Sequence, residues 1–389
     1  MELLELLNSK PLYYTKFDPN RIVEAYELIK DKIKHPKAIW LIGTNGKGST
    51  GRAVAHLSYK SGLSVGHFTS PHILDFKERF WIDGRFATKD ELQKAHKKLS
   101  TLLGKKITDA LSYFEYQTLL AFVLFEDTHL QVIEAGLGGE YDATSVKKYD
   151  LTIITPIGFD HSTFLGKSIK EIATTKLNAI SKKVLIANQE YKEVYTIAKE
   201  IATIKGSKLY FYKDLAKERF KEIQKLSTKK AWPNYIIQNI TNAILALDIM
   251  QINYSVKDLK TLSLFGRFYK IAPNIIIDVG HNPLAAKAIV EALPKKVTLI
   301  FNILGDKEYK EVLEILKPKI KELQIIKIDN QRALDLKELE NFLEKLEIKY
   351  SYFNTKLEKN KEYLVFGSFF VVEQFLKTLK IKSIEEFSL

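Results

Sequence analysis

The feature that most constrains the fold is a glycine-rich loop between an apolar strand and a helix. Residues 43–50 read Gly-Thr-Asn-Gly-Lys-Gly-Ser-Thr, after a predicted strand at 38–42 and before a helical pattern at 49–61. Glycines let several backbone N–H groups point at one anion, while the helix N-terminus and Lys47 add positive charge. The loop is shorter than the common G-x-x-x-x-G-K-[ST] pattern and has Gly48 in the hydroxyl position. It predicts a nucleoside-triphosphate site rather than a plain turn.

Two series of apolar strands alternating with helices predict an α/β fold. The first has strands at 38–42, 64–68, 130–134 and 151–155, and helices at 20–34, 49–61, 114–126, 168–180 and 234–250. The second has strands at 274–279, 297–303, 324–328 and 363–366, and helices at 283–293, 308–315, 335–345 and 369–377. Such alternation is typical of mostly parallel sheets covered by helices on both faces. We therefore expect an N-terminal P-loop mononucleotide-binding domain at 1–262 and a smaller, Rossmann-like C-terminal α/β domain at 263–389.

Composition narrows the class of protein. The 389-residue chain carries 60 Lys and Arg against 47 Asp and Glu, a formal net charge of +13, and no Cys. The lack of Cys excludes disulfides, thiolate metal sites, a Cys nucleophile and iron–sulfur clusters. The positive charge suits anionic ligands such as nucleotides or polycarboxylates, although a lysine-rich composition alone also explains it. No basic run is interleaved with aromatics and no apolar run approaches ~18 residues, so we expect a cytoplasmic chain without nucleic-acid or membrane partners.

Four predicted strands end in residues suited to phosphate or metal binding. Lys47 follows the first strand, Ser70 follows the second, Glu134 ends the third and His161 follows the fourth. In a parallel sheet the carboxyl ends of the strands lie at one edge, where ligands bind. Taken singly, Ser70 suits an ordinary turn, and His161 suits a helix cap or a surface position. Together the four predict a magnesium site beside the nucleotide, because hard cations prefer oxygen donors.

Ten segments, in order along the chain, resemble the folylpolyglutamate synthase/dihydrofolate synthase family, a branch of the Mur ligase superfamily. They are GTNGKGS (43–49), TSPH (69–72), ERFWIDG (78–84), YFEYQTLLAF (113–122), EAGLGGEYDAT (134–144), DHSTFLG (160–166), GRF (266–268), IDVGHNP (277–283), LGDKE (304–308) and FGSFFVVEQ (366–374). The resemblance implies an ATP-dependent carboxylate–amine ligase that adds L-glutamate to dihydropteroate, to folate glutamate tails, or to both, through an acyl phosphate. It implies ATP, two Mg²⁺ ions and a monovalent cation as cofactors, and a monomer that acts on small molecules.

The resemblance also implies roles for individual residues, by position. Catalytic roles fall on Lys47, His161 and Lys176. The implied nucleotide contacts are Thr44, Asn45, Gly46, Lys47, Gly48, Ser49, Asn242, Arg267, Asp278 and His281, with Asn239 as the alternative to Asn242. The implied magnesium ligands are Ser70, Glu134, His161 and Lys176. The implied contacts with the pterin-bearing substrate are Tyr113, Phe114, Glu115, Tyr141, Asp142 and Ala143, with the stretch 15–18 as a further candidate.

Three of these residues have ordinary alternatives. For Arg267, in the predicted linker, the alternative is an exposed hinge charge. The family lysine matching Lys176 is carbamylated, which turns an ammonium into a carboxylate-like group that holds a second magnesium ion. Here Thr175 and Asn178 replace the acid and the glycine usual around it, and a solvated helix lysine is the alternative. Phe114 is explained equally well by packing in the core.

Two other functions stay open at the level of sequence. A Mur-type cell-wall amino-acid ligase shares the architecture, but the DAT and DHxxxLG segments stand against it. A P-loop ATPase that binds nucleic acid would use the positive charge. It would leave Glu134, His161 and the turn at 278–281 in the second α/β unit without a purpose.

Overall fold

Two sheets organise the part of the chain that the computed structural model describes, residues 2–11 and 18–387. The strands of the first sheet are β1 (Lys37–Ile42), β2 (Val65–Phe68), β3 (Phe80–Ile82), β4 (Arg85–Phe86), β5 (Leu130–Glu134), β6 (Leu151–Ile154), β7 (Lys183–Ile186) and β8 (Lys208–Phe211). Those of the second are β9 (Tyr269–Ala272), β10 (Ile275–Ile277), β11 (Val297–Phe301), β12 (Ile320–Ile325), β13 (Tyr350–Tyr352) and β14 (Tyr363–Phe366). The spatial orders are β4-β3-β2-β5-β1-β6-β7-β8 and β13-β12-β11-β14-β10-β9.

Helices connect most of the parallel strands. They are α1 (Leu3–Asn8), α2 (Asn20–Ile29), α3 (Lys47–Lys60), α4 (Lys89–Ala110), α5 (Tyr113–Leu124), α6 (Ser162–Leu165), α7 (Ile169–Leu177), α8 (Glu193–Lys205), α9 (Tyr212–Lys230), α10 (Asn234–Met250), α11 (Pro283–Ala292), α12 (Tyr309–Leu316), α13 (Leu336–Lys345) and α14 (Phe369–Thr378). Short 3₁₀ segments lie at Lys30–Lys32, Phe76–Arg79, Ala143–Val146, Val256–Thr261, Lys317–Lys319 and Ile384–Phe387. Among the described residues, none of these helices combines the length and apolarity needed to cross a bilayer.

Strand β1 lies at the centre of the first sheet. It pairs in parallel with β5 on one side and β6 on the other, and β2 continues the parallel pairing beyond β5. One face packs against a core that contains Trp40 and Phe122, and the opposite face against a core with Leu41 and Ile240. Parallel strands buried on both faces are the consequence of helical crossovers. The mostly parallel α/β fold is thus confirmed, and the carboxyl ends of β1, β2, β5 and β6 lie side by side.

The edges of the sheets differ from the prediction. β3 and β4 form an antiparallel hairpin, and β9 pairs antiparallel with β10. Two residues join the strands in each pair, 83–84 and 273–274, and connections this short link only antiparallel neighbours. β7 and β8 extend the parallel sheet beyond the predicted strands. β12 begins at Ile320 instead of 324, because the exposed or half-exposed Lys321 and Glu322 interrupt its apolar pattern.

Helix α3 begins two residues before its predicted start. Gly46, with a left-handed φ of 88°, closes the loop, and Lys47 is the first helical residue. The helix packs against α10 through a core that includes Ala53 and Ile240. This packing holds the start of α3 beside the ends of β2 and β5.

Candidate active site

The phosphate loop, residues 43–48, lies directly against two neighbouring segments. Gly43 and Gly46 have positive φ angles of 155° and 88°. A Cβ atom at Gly43 would collide with Thr155, which follows β6, and one at Gly46 would lie 2.5 Å from Asn239 Oδ1 on α10. Only glycine combines such angles with such close approach. The loop conformation therefore depends on these two glycines.

The Lys47 ammonium folds back over the phosphate loop. Its Nζ donates to the carbonyl oxygens of Gly43 at 3.1 Å and Thr44 at 3.3 Å. It also lies 4.0 Å from Glu134 Oε1, at the end of β5. A half-buried ammonium in this position offers a point charge to phosphate oxygens that enter the loop.

The Glu134 carboxylate faces the start of helix α3. Its Oε2 accepts hydrogen bonds from Thr69 Oγ1 and, at 3.4 Å, from the Ser70 amide. Burial raises the pKa of Glu134, against the charge of Lys47. A Cβ atom at Gly48 would lie 3.3 Å from Thr69 Oγ1 and 3.4 Å from Glu134 Oε2. A hydroxyl side chain at position 48 would crowd this carboxylate, which explains why the loop carries glycine there.

The Ser49 hydroxyl provides a test of whether the loop fits a nucleotide. The side chain is 3% exposed, and its Oγ has no hydrogen-bond partner among the residues that the structure describes. A buried hydroxyl without a partner is costly unless a ligand completes its bonding. Together with Lys47, this orphaned group fits a phosphate or a phosphate-bound cation.

Lys176 is brought to the phosphate loop by helix α7. The helix packs so closely on the glycine-rich turn after β5 that a Cβ atom at Gly139 would lie 2.9 Å from Lys176 Cα. Lys176 is 3% exposed, and its Nζ donates to Gly43 O at 3.1 Å. Burial, reinforced by the charge of Lys47, lowers the pKa of Lys176 to about 7. The alternative of a solvated helix lysine is therefore wrong.

A polar cluster joins the end of β6 to the second sheet. Lys307 Nζ donates to Asp160 Oδ1 at 2.6 Å and to His161 Nε2 at 3.3 Å, while His281 Nε2 lies 3.4 Å from Asp160 Oδ2. Burial lowers the pKa of His161 to about 4, against the charge of Asp160. At neutral pH the imidazole is thus uncharged, the form that binds metals.

Two residues from the second half of the chain, Arg267 and Asp278, line the same cavity as the phosphate loop. The Arg267 guanidinium stacks 5.1 Å from the centre of the Phe369 ring, and its Nη2 would lie 3.8 Å from a Cβ atom at Gly48. The Asp278 carboxylate accepts hydrogen bonds from Tyr235 Oη at 2.6 Å and from the Phe268 amide at 2.8 Å. Asp278 thereby ties the segment around Arg267 to helix α10.

One cavity of about 560 Å³ collects most of the residues predicted for nucleotide and metal. Those that line it are Thr44, Asn45, Gly46, Lys47, Gly48, Ser49, Ser70, Glu134, His161, Lys176, Arg267, Asp278 and His281. Asn242 is the exception: it is 1% exposed inside the core and does not line the cavity. Asn239 lines it instead, one helical turn earlier on α10 and against Gly46.

Comparison with known proteins identifies the group to which the chain belongs. The model of the Mur ligase glutamate ligase domain matches residues 266–364. A dihydrofolate synthase/folylpolyglutamate synthase of Buchnera aphidicola (subsp. Schizaphis graminum) is 30% identical over 371 residues, 86% of each chain. The chain belongs to the dihydrofolate synthase/folylpolyglutamate synthase family. It is accordingly an ATP-dependent ligase.

Solved structures of this family share the whole architecture. The crystal structure of Helicobacter pylori folylpolyglutamate synthetase is 37% identical, with a TM-score of 0.78 over 97% of this chain and 98% of that one. The bifunctional folylpolyglutamate synthase/dihydrofolate synthase of Yersinia pestis, complexed with AMPPNP and a Mn ion, is 25% identical, with a TM-score of 0.83 over 97% of both chains. The match in both halves of the chain supports a cavity built from both sheets.

The residues predicted to contact a pterin lie outside this cavity, and some of them are engaged in local structure. Asp142 accepts hydrogen bonds from Leu137 N at 2.8 Å and Thr144 N at 2.9 Å, and Glu115 pairs with Arg21 at 3.0 Å. The remaining candidates are placed as follows: Tyr113 lies under the Arg79 guanidinium, Phe114 stacks near Phe68, Ala143 is buried and Tyr141 is 58% exposed. Of the further candidate stretch 15–18, residues 15–17 lie outside the described residues. These substrate contacts stay predictions.

Sequence reasoning missed several polar residues at or beside the site, including Tyr235 in the cavity lining, and three of them make contacts between distant segments. Asp160 and Lys307 form the buried ion pair, and Asn282 binds Asn45 across the cleft. All three stand inside segments that carried the family resemblance, DHSTFLG, LGDKE and IDVGHNP. The motifs that contain these residues could therefore be recognised in the sequence. The sequence does not indicate which distant residues contact one another.

Proposed function

We propose that this ligase joins L-glutamate to dihydropteroate, to the glutamate tail of a reduced folate, or to both. The observation that carries the proposal is the meeting, in one cavity, of the phosphate loop, the Glu134 carboxylate and Arg267 from the second half of the chain. The names of the relatives, dihydrofolate synthase and folylpolyglutamate synthase, support these substrates and disfavour the cell-wall alternative.

The reaction consists of two transfers. An oxygen of the substrate carboxylate attacks the γ-phosphorus of ATP while the bond to ADP breaks, which yields an acyl phosphate. The amine of L-glutamate then attacks the carbonyl carbon and loses a proton, and inorganic phosphate leaves. Lys47 and Arg267 stabilise the charge on the transferring phosphoryl group, a contribution of position and electrostatics.

We assign the divalent metal to Ser70, Glu134, His161 and Lys176. Glu134 and the neutral His161 imidazole supply an oxygen and a nitrogen donor at the same cavity. When bound, magnesium neutralises charge on the phosphoryl oxygens. Because buried Lys176 has a pKa of about 7, its amine is substantially uncharged at neutral pH, the form that reacts with carbon dioxide to give a carbamate and a proton. The monovalent cation and the monomeric, cytoplasmic state implied by the resemblance stay predictions.

Mass spectrometry of the products tests the substrate assignment. The purified protein is incubated with ATP, L-glutamate and one acceptor at a time: dihydropteroate, tetrahydrofolate or a UDP-muramyl precursor. We expect acceptors of the folate type to gain the mass of one or more glutamyl residues, with release of ADP. Glutamylation of the muramyl precursor alone would overturn the proposal.

We further propose that residues 1–262 and 263–389 act as two domains that close around the linker at 261–270. The supporting observation is that Lys47 and Asp278, from opposite sides of the linker, line the same cavity. Closure would exclude water from the acyl phosphate. Small-angle scattering should show a smaller radius of gyration with an ATP analogue and substrate. An unchanged radius together with full activity of Asp278→Ala would contradict this division.

A further inference from the structure

A second cavity of about 720 Å³ adjoins the active-site cavity on the other side of Arg267 and Phe369. It lies between helix α3, the β3–β4 hairpin and the segment 260–265. None of the described residues assigned to the pterin lines it. Its chemistry is therefore not accounted for by the reaction described above.

Arg52 is the central cation of the second cavity. Its guanidinium stacks 5.0 Å from the Trp81 ring and 5.7 Å from the Phe86 ring. Within the described ranges it has neither a hydrogen-bond partner nor a carboxylate at ion-pair distance. The nearby Glu78 carboxylate is occupied by the amides of Ile73 and Leu74, at 2.7 and 2.9 Å. A partly buried guanidinium with no carboxylate at ion-pair distance is expected where an anionic ligand completes the site.

Other groups add to the excess of positive charge. Lys60 and Lys260 are exposed at the rim, and neither has a carboxylate partner in the part of the chain that the structure describes. The lining residue Glu385 is neutralised by Lys77 at 2.9 Å. His67, which is fully buried in the lining, adds no charge because burial holds its pKa well below the usual value, but neither ring nitrogen has a hydrogen-bond partner among the described residues.

We propose that the second cavity binds the γ-linked glutamate tail of the folate substrate, with Arg52 and the rim lysines pairing with its carboxylates. The inference rests on the ligase reaction proposed above and names the part of the substrate that this cavity recognises. Each added glutamyl residue contributes one carboxylate, so a tail presents charges spaced along a chain. Arg52 and Lys60 lie eight residues apart on α3, about 12 Å along the helix, and Lys260 lines the same cavity, so a chain of carboxylates suits them better than a single phosphate. Arg267 lines both cavities, so a glutamate tail bound in the second cavity can extend into the active-site cavity.

Steady-state kinetics with acceptors of different tail length test the proposal. For Arg52→Gln and for the double variant Lys60→Glu/Lys260→Glu, we expect KM for a triglutamylated folate to rise about tenfold. KM for the monoglutamate and kcat for both acceptors should change less than about twofold. Arg52→Lys should restore most of the affinity. Lys337→Glu/Lys349→Glu, the same change of charge on exposed lysines beside the second sheet, is the matched control.

Calorimetric titration with free γ-linked triglutamate separates this proposal from others. The proposal is supported if the unaltered protein binds the triglutamate and both Arg52→Gln and Lys60→Glu/Lys260→Glu fail to bind it. This holds even if the protein glutamylates no folate. Binding of inorganic phosphate with no binding of the peptide would overturn it. Equal increases in KM for both acceptors would also overturn it, because they would mean that Arg52 acts on the catalytic site as a whole.

Discussion

Asn45 in the phosphate loop and Asn282 at the start of α11 exchange two hydrogen bonds, with donor–acceptor distances of 2.9 and 2.8 Å. Asn282 Oδ1 also accepts from the Ala285 amide and so caps α11. Each side chain donates and accepts at once, which suits an amide at both positions. The pair couples the predicted ATP site directly to the second half of the chain.

Asn282→Ser tests this coupling. Serine keeps an N-cap oxygen but does not reach across to Asn45. We expect KM for ATP to rise about three- to tenfold, since roughly 1 kcal/mol of hydrogen bonding is lost, with little change in the thermal midpoint. Asp335→Ser, at the N-cap of α13, is the matched control. An unchanged KM would show that the pair does not position the loop.

Lys47→Ala should abolish ligation. The phosphoryl group would lose its point charge in a loop otherwise built of neutral dipoles, and such losses cost about 10²–10³ in kcat. The measurement is ADP release at saturating ATP, with Lys205→Ala on α8 as an exposed lysine control. Near-normal turnover would contradict the assignment of the phosphate loop.

Gly48→Ala separates stability from function at the start of α3. Alanine favours a helix by about 1 kcal/mol over glycine, so the thermal midpoint should stay the same or rise. The added methyl would lie 3.3–3.4 Å from Thr69 Oγ1 and Glu134 Oε2, and we expect kcat to fall at least tenfold. Gly305→Ala, where the nearest atom is 3.7 Å away, is the control. Full activity of Gly48→Ala would mean that the position of the Glu134 carboxylate beside the phosphate loop is not needed for catalysis.

Lys176→Ala should lose most activity and regain part of it with added short carboxylates. The added acid would take the place of the carbamate in the space left by the side chain. Lys170→Ala, exposed on the same helix, should behave like the parent in the same assay. If Lys176→Ala is fully active, the chain has abandoned the modification and His161 must act without it.

Lys307→Met should destabilise the protein far more than Lys287→Met. Both lysines make 2.6 Å ion pairs to the first half of the chain, but Asp160 and Lys307 are buried whereas Glu190 and Lys287 are exposed. Removing one partner of a buried ion pair costs up to about 3–5 kcal/mol, less here to the extent that His281 stays beside Asp160, and losing an exposed pair costs less than about 1 kcal/mol. Urea unfolding at pH 7 measures the free energy of unfolding of both variants. Equal decreases in that free energy would show that the Asp160 pair is not effectively buried.

The same variant has a predictable dependence on pH. Burial alone would raise the pKa of Asp160, but the hydrogen bond and charge of His281, with His161 and Lys307, hold it well below its usual value. A depressed pKa stabilises the folded state above the unfolded value of about 3.9, and this stabilisation is lost as pH falls through the folded value. The difference between the parent and Lys307→Met should therefore shrink below pH 4. A difference that stays constant down to pH 2 would contradict the role of the pair.

Local patterns in the sequence were enough to predict the strand–loop–helix unit and most of the parallel strands. The strand at 130–134 and the helix at 234–250 have the predicted bounds, because an apolar run and a long helical pattern depend only on residues close together in the sequence. The placement of Ser70, Glu134 and His161 at one cavity also followed, since parallel strands bring their carboxyl ends to one edge whatever the details of packing.

Only the tertiary structure decided which side chains face the ligand and which are paired. Asn239 and Asn242 lie three residues apart on one helix, and the packing of α10 against α3 sends the first to the cavity and the second into the core. In the sequence Lys176 resembles many other helix lysines, whereas in the structure the packing of α7 against Gly139 buries it. Asp160 and Lys307 are 147 residues apart. That Arg52 has no carboxylate at ion-pair distance among the described residues depends on how α3 packs against the neighbouring segments. Contacts and desolvation between distant segments follow from packing in three dimensions, which no local pattern of residues records.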